Sequence, residues 1–404
     1  MVRLLWVPIV LALAVGLLTA ITADPTRAGR PTLSAALGRT LASPGIDPAR
    51  TAAMVVDLQT GRVVFQRNPS RALAPASVEK LPVAFAALQQ LGPSFRFHTE
   101  VLGEGVLVGN EWRGDLYLVG FGDPTLALAD IGRLARDVRG AGIRRVTGSV
   151  LGDEGYYDTR RTAPGWKPSF LGIESPPLSA LVVKGVELRG ANGSAAAAAA
   201  AFSTALERRG VLVAGAPRTG RAPTDALPLA ADHSAQLKAI VLHMNRESDN
   251  FVAEMLLKEL GATVSERGST ASGARVVHEA LAQAGVPVEG VRVVDGSGLS
   301  GHDRLTARAL VVLLWTVARD PEVGDDFVTS LPVAGISGTL RNRLGQRPTR
   351  GRVAAKTGTT SRACTLAGYV GRRYAFAIVQ NGSPVSYWSA RAAQDRFVTV
   401  LARS

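Results

Sequence analysis

A serine with a lysine three residues behind it, Ser77-Val78-Glu79-Lys80, is followed far along the chain by Ser248-Asp249-Asn250 and then by Lys356-Thr357-Gly358. Acyl transfer needs a nucleophile whose proton leaves as it attacks, and a serine hydroxyl is too weak an acid to ionise unaided at neutral pH. Residues i and i+3 are neighbours on a helix, so Lys80 can stand beside Ser77 and take that proton. It can do so only if its own pKa is lowered, by partial burial and by a nearby cation such as Lys356. Ser248 offers a hydroxyl that relays a proton between Lys80 and a leaving amine, and Asn250 an amide that holds a substrate backbone. Lys356 and Thr357 offer a cation and a hydroxyl for a substrate carboxylate, while Gly358 permits close approach to a strand. Together the three runs read as an enzyme, a serine acyl-transferase with lysine in place of histidine as its base.

Each run alone is weak evidence, because Ser-x-x-Lys and Ser-x-Asn recur by chance about once in a chain of this length. Scarcity strengthens the set. Lysine occupies only six positions (80, 167, 184, 238, 258 and 356), and only Lys80 has a serine three residues before it. No Gly-x-Ser-x-Gly elbow is present, and none of the five histidines falls within the runs. Glu79 is an awkward neighbour, since a carboxylate beside Lys80 favours the charged amine; adjacent helix residues point apart, so it is expected to face away.

The 404 residues, 46% of them hydrophobic, suffice for two or three domains at roughly 150 residues each. Arg3, the apolar run Leu4 to Leu18 and the small residues through Ala23 predict a secretory signal over 1–23. The competing reading is an uncleaved anchor, because the apolar stretch continues to Ile21. Either places the protein outside the cytoplasm, in the periplasm or cell wall or on the outer face of the cytoplasmic membrane. The single cysteine, Cys364, excludes an internal disulfide. Neither Cys-x-x-Cys nor His-Glu-x-x-His occurs, so no zinc site is expected. The net charge of +13 comes from scattered arginines rather than a clustered stripe, which argues against nucleic acid. It leaves open association with anionic wall polymers or a membrane surface.

The elements that must position the three runs follow from periodicity. A helix is predicted over Leu33–Leu41 and a hairpin from Ala52–Asp57 and Val63–Phe65, turned at Thr60-Gly61. An apolar helix runs from Ser77 to Leu91, with Ser77 at its start, where a serine also serves as N-cap. From about His98 to Leu229 the texture changes to short strand-like runs, Leu116–Val119 and Leu181–Val183 among them, with helices over Leu126–Arg139 and Ala195–Arg208. In the second of these, Phe202 and Leu206 form an i, i+4 apolar pair. This block is large enough to be a domain of its own. Helices resume at Ser234 and leave Ser248-Asp249-Asn250 at a break between two of them. Asp295–Ser300 reads as a turn, Leu305–Ala318 as a helix, Val353–Thr357, Thr365–Val370 and Tyr374–Gln380 as strands, and Ser389–Leu401 as a last helix. A hairpin near one end and three strands near the other predict a single sheet closed by both.

With these features the chain resembles the D-alanyl-D-alanine carboxypeptidase/endopeptidase group of low-molecular-mass class C penicillin-binding proteins, the peptidase S13 family. The resemblance rests on Pro75-Ala76-Ser77-Val78-Glu79-Lys80-Leu81, Gly122-Asp123-Pro124-Thr125-Leu126, Met244-Asn245 with Ser248-Asp249-Asn250, Asp295-Gly296-Ser297-Gly298-Leu299-Ser300, Gly338-Thr339-Leu340 and Lys356-Thr357-Gly358-Thr359. It implies an α/β (α+β) fold whose core is like the penicillin-binding transpeptidases and serine β-lactamases, a five-stranded antiparallel sheet flanked by helices. The catalytic domain would comprise 28–97 and 230–404, with 98–229 as an inserted accessory region. The resemblance also implies hydrolysis of peptidoglycan stem peptides ending in D-Ala-D-Ala, as carboxypeptidase or endopeptidase, without cofactor or metal. Ser77, Lys80 and Ser248 would be catalytic, and Asn250, Lys356, Thr357, Gly358 and Thr359 would bind substrate. Ser77 would be acylated by the peptide, or by a β-lactam that mimics and inhibits, with the oxyanion held by the N–H groups of Ser77 and Thr359. Glu79 stands where family members commonly carry an uncharged residue, a departure that bears on rate. Two other readings share the motifs: a serine β-lactamase, which is shorter and lacks the insert, and a wall-peptide-binding protein of this fold without turnover. Asp123 fits a turn-forming Asp-Pro better than a contact to a substrate side chain.

Overall fold

The computed structural model describes residues 32–42, 44–186, 193–266 and 268–404; the expected signal segment, 1–23, lies outside the described residues. Helix α1 (Leu33–Thr40) leads into the hairpin β1 (Thr51–Asp57) and β2 (Val63–Arg67), and α2 (Lys80–Leu91) ends at Gly92. A second sheet follows from β3 (His98–Val108), β4 (Glu111–Gly120), β5 (Arg145–Val146), β6 (Val150–Asp153), β7 (Leu212–Val213), β8 (Arg218–Thr219) and β9 (Leu227–His233). Between its strands lie α3 (Leu128–Gly140) and α4 (Gly193–Arg208). The chain then forms α5 (Leu237–Glu247), α6 (Asn250–Ser265), α7 (Thr270–Gln283), α8 (Ala307–Val317) and α9 (Gly324–Ser330). It closes with β10 (Val353–Thr359), β11 (Ala363–Val370), β12 (Tyr374–Asn381) and α10 (Tyr387–Arg403).

The first sheet has the order β10-β11-β12-β1-β2, and every pairing in it is antiparallel. Both ends of the chain close it, because β1 pairs with β12 from Thr51↔Gln380 to Asp57↔Tyr374. Its central strands are apolar without a polar alternation because both faces are covered. In β1, Ala52, Met54 and Val56 join the core with α2 and α8, whereas Ala53 and Val55 join the core with α1 and α10. The same period of two divides β12, with Ala375, Ala377 and Val379 to one side and Phe376 and Ile378 to the other. Each large side chain so enclosed contributes about 1.5–3 kcal/mol.

The second sheet has a core of its own. Val101, Trp112, Leu116 and Leu118 pack on Ile131, Leu134 and Val138 of α3 and on Phe202 and Leu206 of α4, the pair picked out by its spacing. The alanine run lets α4 lie directly on β6, where a Cβ on Gly152 would collide with Ala195 O. The segment from Tyr157 to Ala180 leaves this sheet and packs against Met255 of α6. Trp166 donates from it to Asp295 at 2.8 Å.

Two local expectations are corrected. Leu181–Val183 is buried but irregular, its neighbourhood tied by single bonds such as Gly122 N to Ala180 O and Lys184 N to Leu126 O instead of a ladder. Ser77 does not open the helix: it lies in a 3₁₀ turn over Ala76–Glu79, makes no capping bond, and α2 begins at Lys80. Ala76, with a φ of 48°, bars any helical turn before it, and the helical path starts there as the 3₁₀ turn that runs into α2.

Phe376 is fully enclosed between the sheet and α10. Phe376→Ala should cost about 3–5 kcal/mol, read as a lower denaturant midpoint with an unchanged slope.

Candidate active site

In a 3₁₀ turn residues i and i+3 eclipse, which stacks Ser77 over Lys80 more directly than an α-helix would. The turn is held from both sides by close backbone approach. A Cβ on Gly298 would collide with Ala76 O and lie 3.0 Å from Ser77 N. One on Gly358 would collide with Thr365 Oγ1 and lie 2.9 Å from Pro75 O and Ser77 N. Thr365 Oγ1 also donates to Pro75 O at 2.8 Å. The nucleophile's backbone therefore threads between the Asp295–Ser300 turn and β10, a passage that only glycine permits on either side. Ala76, a non-glycine residue in the left-handed region, carries the strain of it.

Lys80 Nζ lies 3.1 Å from Ser77 Oγ, 2.8 Å from Asn250 Oδ1 and 2.7 Å from Ser297 O. A neutral amine has two N–H bonds and one lone pair. Asn250 Oδ1 and Ser297 O are pure acceptors and take the two N–H bonds, which leaves the lone pair to face the Ser77 hydroxyl. Lys80 is fully buried, and that desolvation pulls its pKa down to about 8 against the opposing pull of Asp295, Glu254, Asp249 and Glu79. Near neutral pH a usable fraction is free base.

Ser248 and Asn250 come from the break between helices. Ser248 ends α5 in the left-handed region (φ 60°), Asp249 caps α6 by accepting from Val252 N at 3.0 Å, and Asn250 becomes the first residue of α6. Lys356, on β10, is fully buried and donates to Ser248 Oγ at 2.8 Å and to Thr357 O at 3.0 Å. Desolvation holds its pKa well below the usual lysine value, and the charge of Lys80 lowers it further. Thr357 Oγ1 bonds Thr339 Oγ1 at 2.8 Å, which ties β10 to the Gly338–Leu340 turn. Gly358 is buried against Ser77, and Thr359 is exposed at the strand's end. Because β10 is the edge strand of the first sheet, its outer side can receive an extended peptide.

The eight residues singled out in the sequence fall into two hydrogen-bonded groups, Ser77–Lys80–Asn250 and Ser248–Lys356, which the break between α5 and α6 joins, with Thr357, Gly358 and Thr359 following Lys356 on the edge strand and Gly358 against Ser77. Sequence reasoning missed Ser297, which acts through its carbonyl, and Glu174, whose carbonyl and carboxylate accept from Asn250 Nδ2 at 3.1 and 3.3 Å. Glu174 belongs to a loop of the middle block and lines a cleft of about 480 Å³ with Ser248 and Asn250; no local pattern announces it. Asp123 Oδ1 is taken up by Thr125 N and Oγ1 at 2.8 and 2.7 Å, so it closes a turn. Glu79, expected to face away from Lys80, is wholly enclosed, and neither carboxyl oxygen meets a donor. Among the described residues no cluster of His, Cys, Asp and Glu could hold a metal ion.

Over residues 33–188 and 183–404 the sequence matches the family described as D-Ala-D-Ala carboxypeptidase 3 (S13). It is 32% identical to the D-alanyl-D-alanine carboxypeptidase of an Actinomadura species, over 85% of this chain and 79% of that one. With a carboxypeptidase of Mycobacterium tuberculosis it shares 31% identity over 94% of this chain and 85% of the other. Its fold is similar to the crystal structure of penicillin binding protein 4 from Haemophilus influenzae, with a TM-score of 0.80 and 21% identity over 91% of this chain and 98% of that one.

Gly358→Ala should push the strand off Ser77. Its reactivity toward a serine-directed electrophile is expected to fall about 100-fold, as misplacement of about 1 Å can do, while circular dichroism stays native.

Proposed function

The chain belongs to the D-Ala-D-Ala carboxypeptidase 3 (S13) family, and from that premise we propose that it is a serine-type D-Ala-D-Ala carboxypeptidase acting on peptidoglycan stem peptides through an acyl-enzyme on Ser77. The observation that carries this reading is the placement of Lys80 Nζ, with two acceptors for its N–H bonds and Ser77 Oγ at 3.1 Å.

The peptide lies antiparallel along β10 with its terminal carboxylate toward Lys356 and Thr357. Ser77 Oγ attacks the carbonyl of the penultimate residue as its proton passes to Lys80, and the N–H groups of Ser77 and Thr359 hold the oxyanion. The C–N bond then breaks, and D-alanine leaves with a proton delivered from Lys80 by way of Ser248 Oγ. Water attacks the ester as Lys80 accepts its proton, the bond to Ser77 Oγ breaks with that proton returned from Lys80 to Ser77 Oγ, and the shortened peptide departs. A β-lactam follows the first half of this course, but its amine stays tethered after ring opening, so the acyl-enzyme persists. Such an enzyme works outside the cytoplasm, where stem peptides are. Its charge of +13 favours contact with anionic wall polymers or lipid headgroups.

A fluorescent penicillin should label Ser77 and fail to label Ser77→Ala; label on another residue, or retained in the variant, would sink the assignment. D-Alanine release from a pentapeptide, compared with cleavage of a cross-linked dimer, then decides between carboxypeptidase and endopeptidase.

Lys80 acts only when neutral, so kcat/KM should rise with pH and level off above about 8. Lys80→Ala should lower it by about 10²–10⁴.

A further inference from the structure

Beneath Lys80 lie four acids, Glu79, Glu254, Asp295 and Asp303, each fully buried. Lys80 feels Asp295, Glu254 and Glu79, together with Asp249 at the head of α6; Asp303 stands against Asp295 and Glu79, and Lys356 faces Lys80 from β10. Four carboxylates cannot stay ionised in such a place, because each unpaired buried charge costs several kcal/mol. Some of them must hold protons.

Hydrogen-bond donors rank them. Asp295 accepts from Gly298 N at 2.7 Å, Ser300 N at 2.7 Å, Trp166 Nε1 at 2.8 Å and Ser297 Oγ at 3.2 Å. Glu254 accepts from Gly296 N at 3.0 Å and Ser297 N at 2.9 Å, both through Oε1, and its Oε2 is unmatched. Asp303 accepts from Val294 N and Asp295 N at 2.7 and 3.2 Å through one oxygen. Glu79 has no donor at all. Charge is therefore best carried by Asp295, next by Glu254, and worst by Glu79. Burial and the neighbouring acids raise Glu79 well above the carboxylate range, Asp303 to about 12 and Glu254 to about 8, in keeping with this order.

The same bonds orient Lys80. In the trans peptide joining Ser297 and Gly298, the N–H and C=O point to opposite sides. Asp295 holds the N–H, which aims the Ser297 carbonyl at Lys80 Nζ, and Glu254 grips the turn one peptide earlier.

We propose that Glu79 works as an uncharged carboxylic acid, and that Glu254 and Asp295 are positioning residues: they aim the Ser297 carbonyl at Lys80, and the charge of Asp295 sets the pH at which Lys80 becomes a base. The second half rests on Lys80 being the base of the reaction above. Loss of a negative charge beside Lys80 lowers its pKa. Asp295→Asn keeps an accepting oxygen for Gly298 N and removes the charge that its donors hold, so the acid limb of the penicillin acylation rate should move down by about one pH unit, about tenfold faster below the wild-type midpoint. Glu79→Gln replaces one neutral group with another and should leave the midpoint in place. An unmoved limb in Asp295→Asn, or an equal shift in Glu79→Gln, overturns the proposal.

Infrared spectroscopy of the unliganded wild-type protein tests the protons directly, whatever the fate of the variants. The carbonyl band of a protonated carboxylic acid should be present at pH 7 and weaken as Glu254 titrates near about 8. Part of it should vanish in Glu79→Gln. Absence of the band at pH 7 refutes the uncharged acid even where Ser77 is never acylated, an outcome that would instead remove the proposed function.

Discussion

A buried lysine amine is the constraint on which the rest of the site depends. An ammonium at Lys80 would lose its hydration, and only fixed acceptors can replace part of it. Three distant pieces of chain provide them. Ser77 comes from the turn before α2, Asn250 from the first turn of α6, and Ser297 from a loop 217 residues beyond Lys80. None of the three is useful unless the others hold still, which explains why this region lies over the largest core, where α2 and α6 supply Phe85, Leu88, Leu256 and Leu260. Stability and basicity are thereby coupled: packing that excludes water from Lys80 also lowers its pKa.

The topology delivers the fourth wall. Closing one sheet with strands from both ends of the chain leaves β10 at its edge, with Lys356 reaching Ser248 and Gly358 against Ser77. The middle block then reaches back to these motifs. Trp166 donates to Asp295, and Glu174 accepts from Asn250, so residues far from the motifs hold both the turn that aims Ser297 and the amide that holds Lys80.

What could be read from the sequence is what has a period or a scarce residue. The hairpin of β1 and β2, the strands β10 to β12 and the helix after Asn250 declare themselves through alternation or an apolar stripe. The eight site residues stand out because lysine is rare here. Helix α7 is not among the elements read from the sequence, and what sets its place, the close approach to α6 where a Cβ on Gly273 would collide with Leu257 O, has no local signature. The 3₁₀ turn at Ser77 follows a left-handed Ala76, and the backbone there runs between Gly298 and Gly358, a tertiary fit that no local pattern shows. The acid cluster joins positions 79, 254, 295 and 303, and no local pattern connects them. Helix geometry predicts that Glu79 faces away from Lys80; in the structure Glu79 is enclosed instead and its charge would still act on Lys80, because the side it turns to is also closed.

The two lysines answer a further question, how a base can stay unprotonated beside so many acids. Lys356 is buried like Lys80, and each would be destabilised by charge on the other. In the empty cleft that repulsion leaves a proton poorly placed on either. In the proposed reaction a peptide carboxylate arriving at Lys356 favours the charged form there. That carboxylate offsets the charge it creates on Lys356, so the pair is close to neutral as felt by Lys80, whose lone pair keeps facing Ser77. Recognition of the substrate's end and removal of the serine proton are thereby divided between two buried amines, one charged on binding and the other kept as a base.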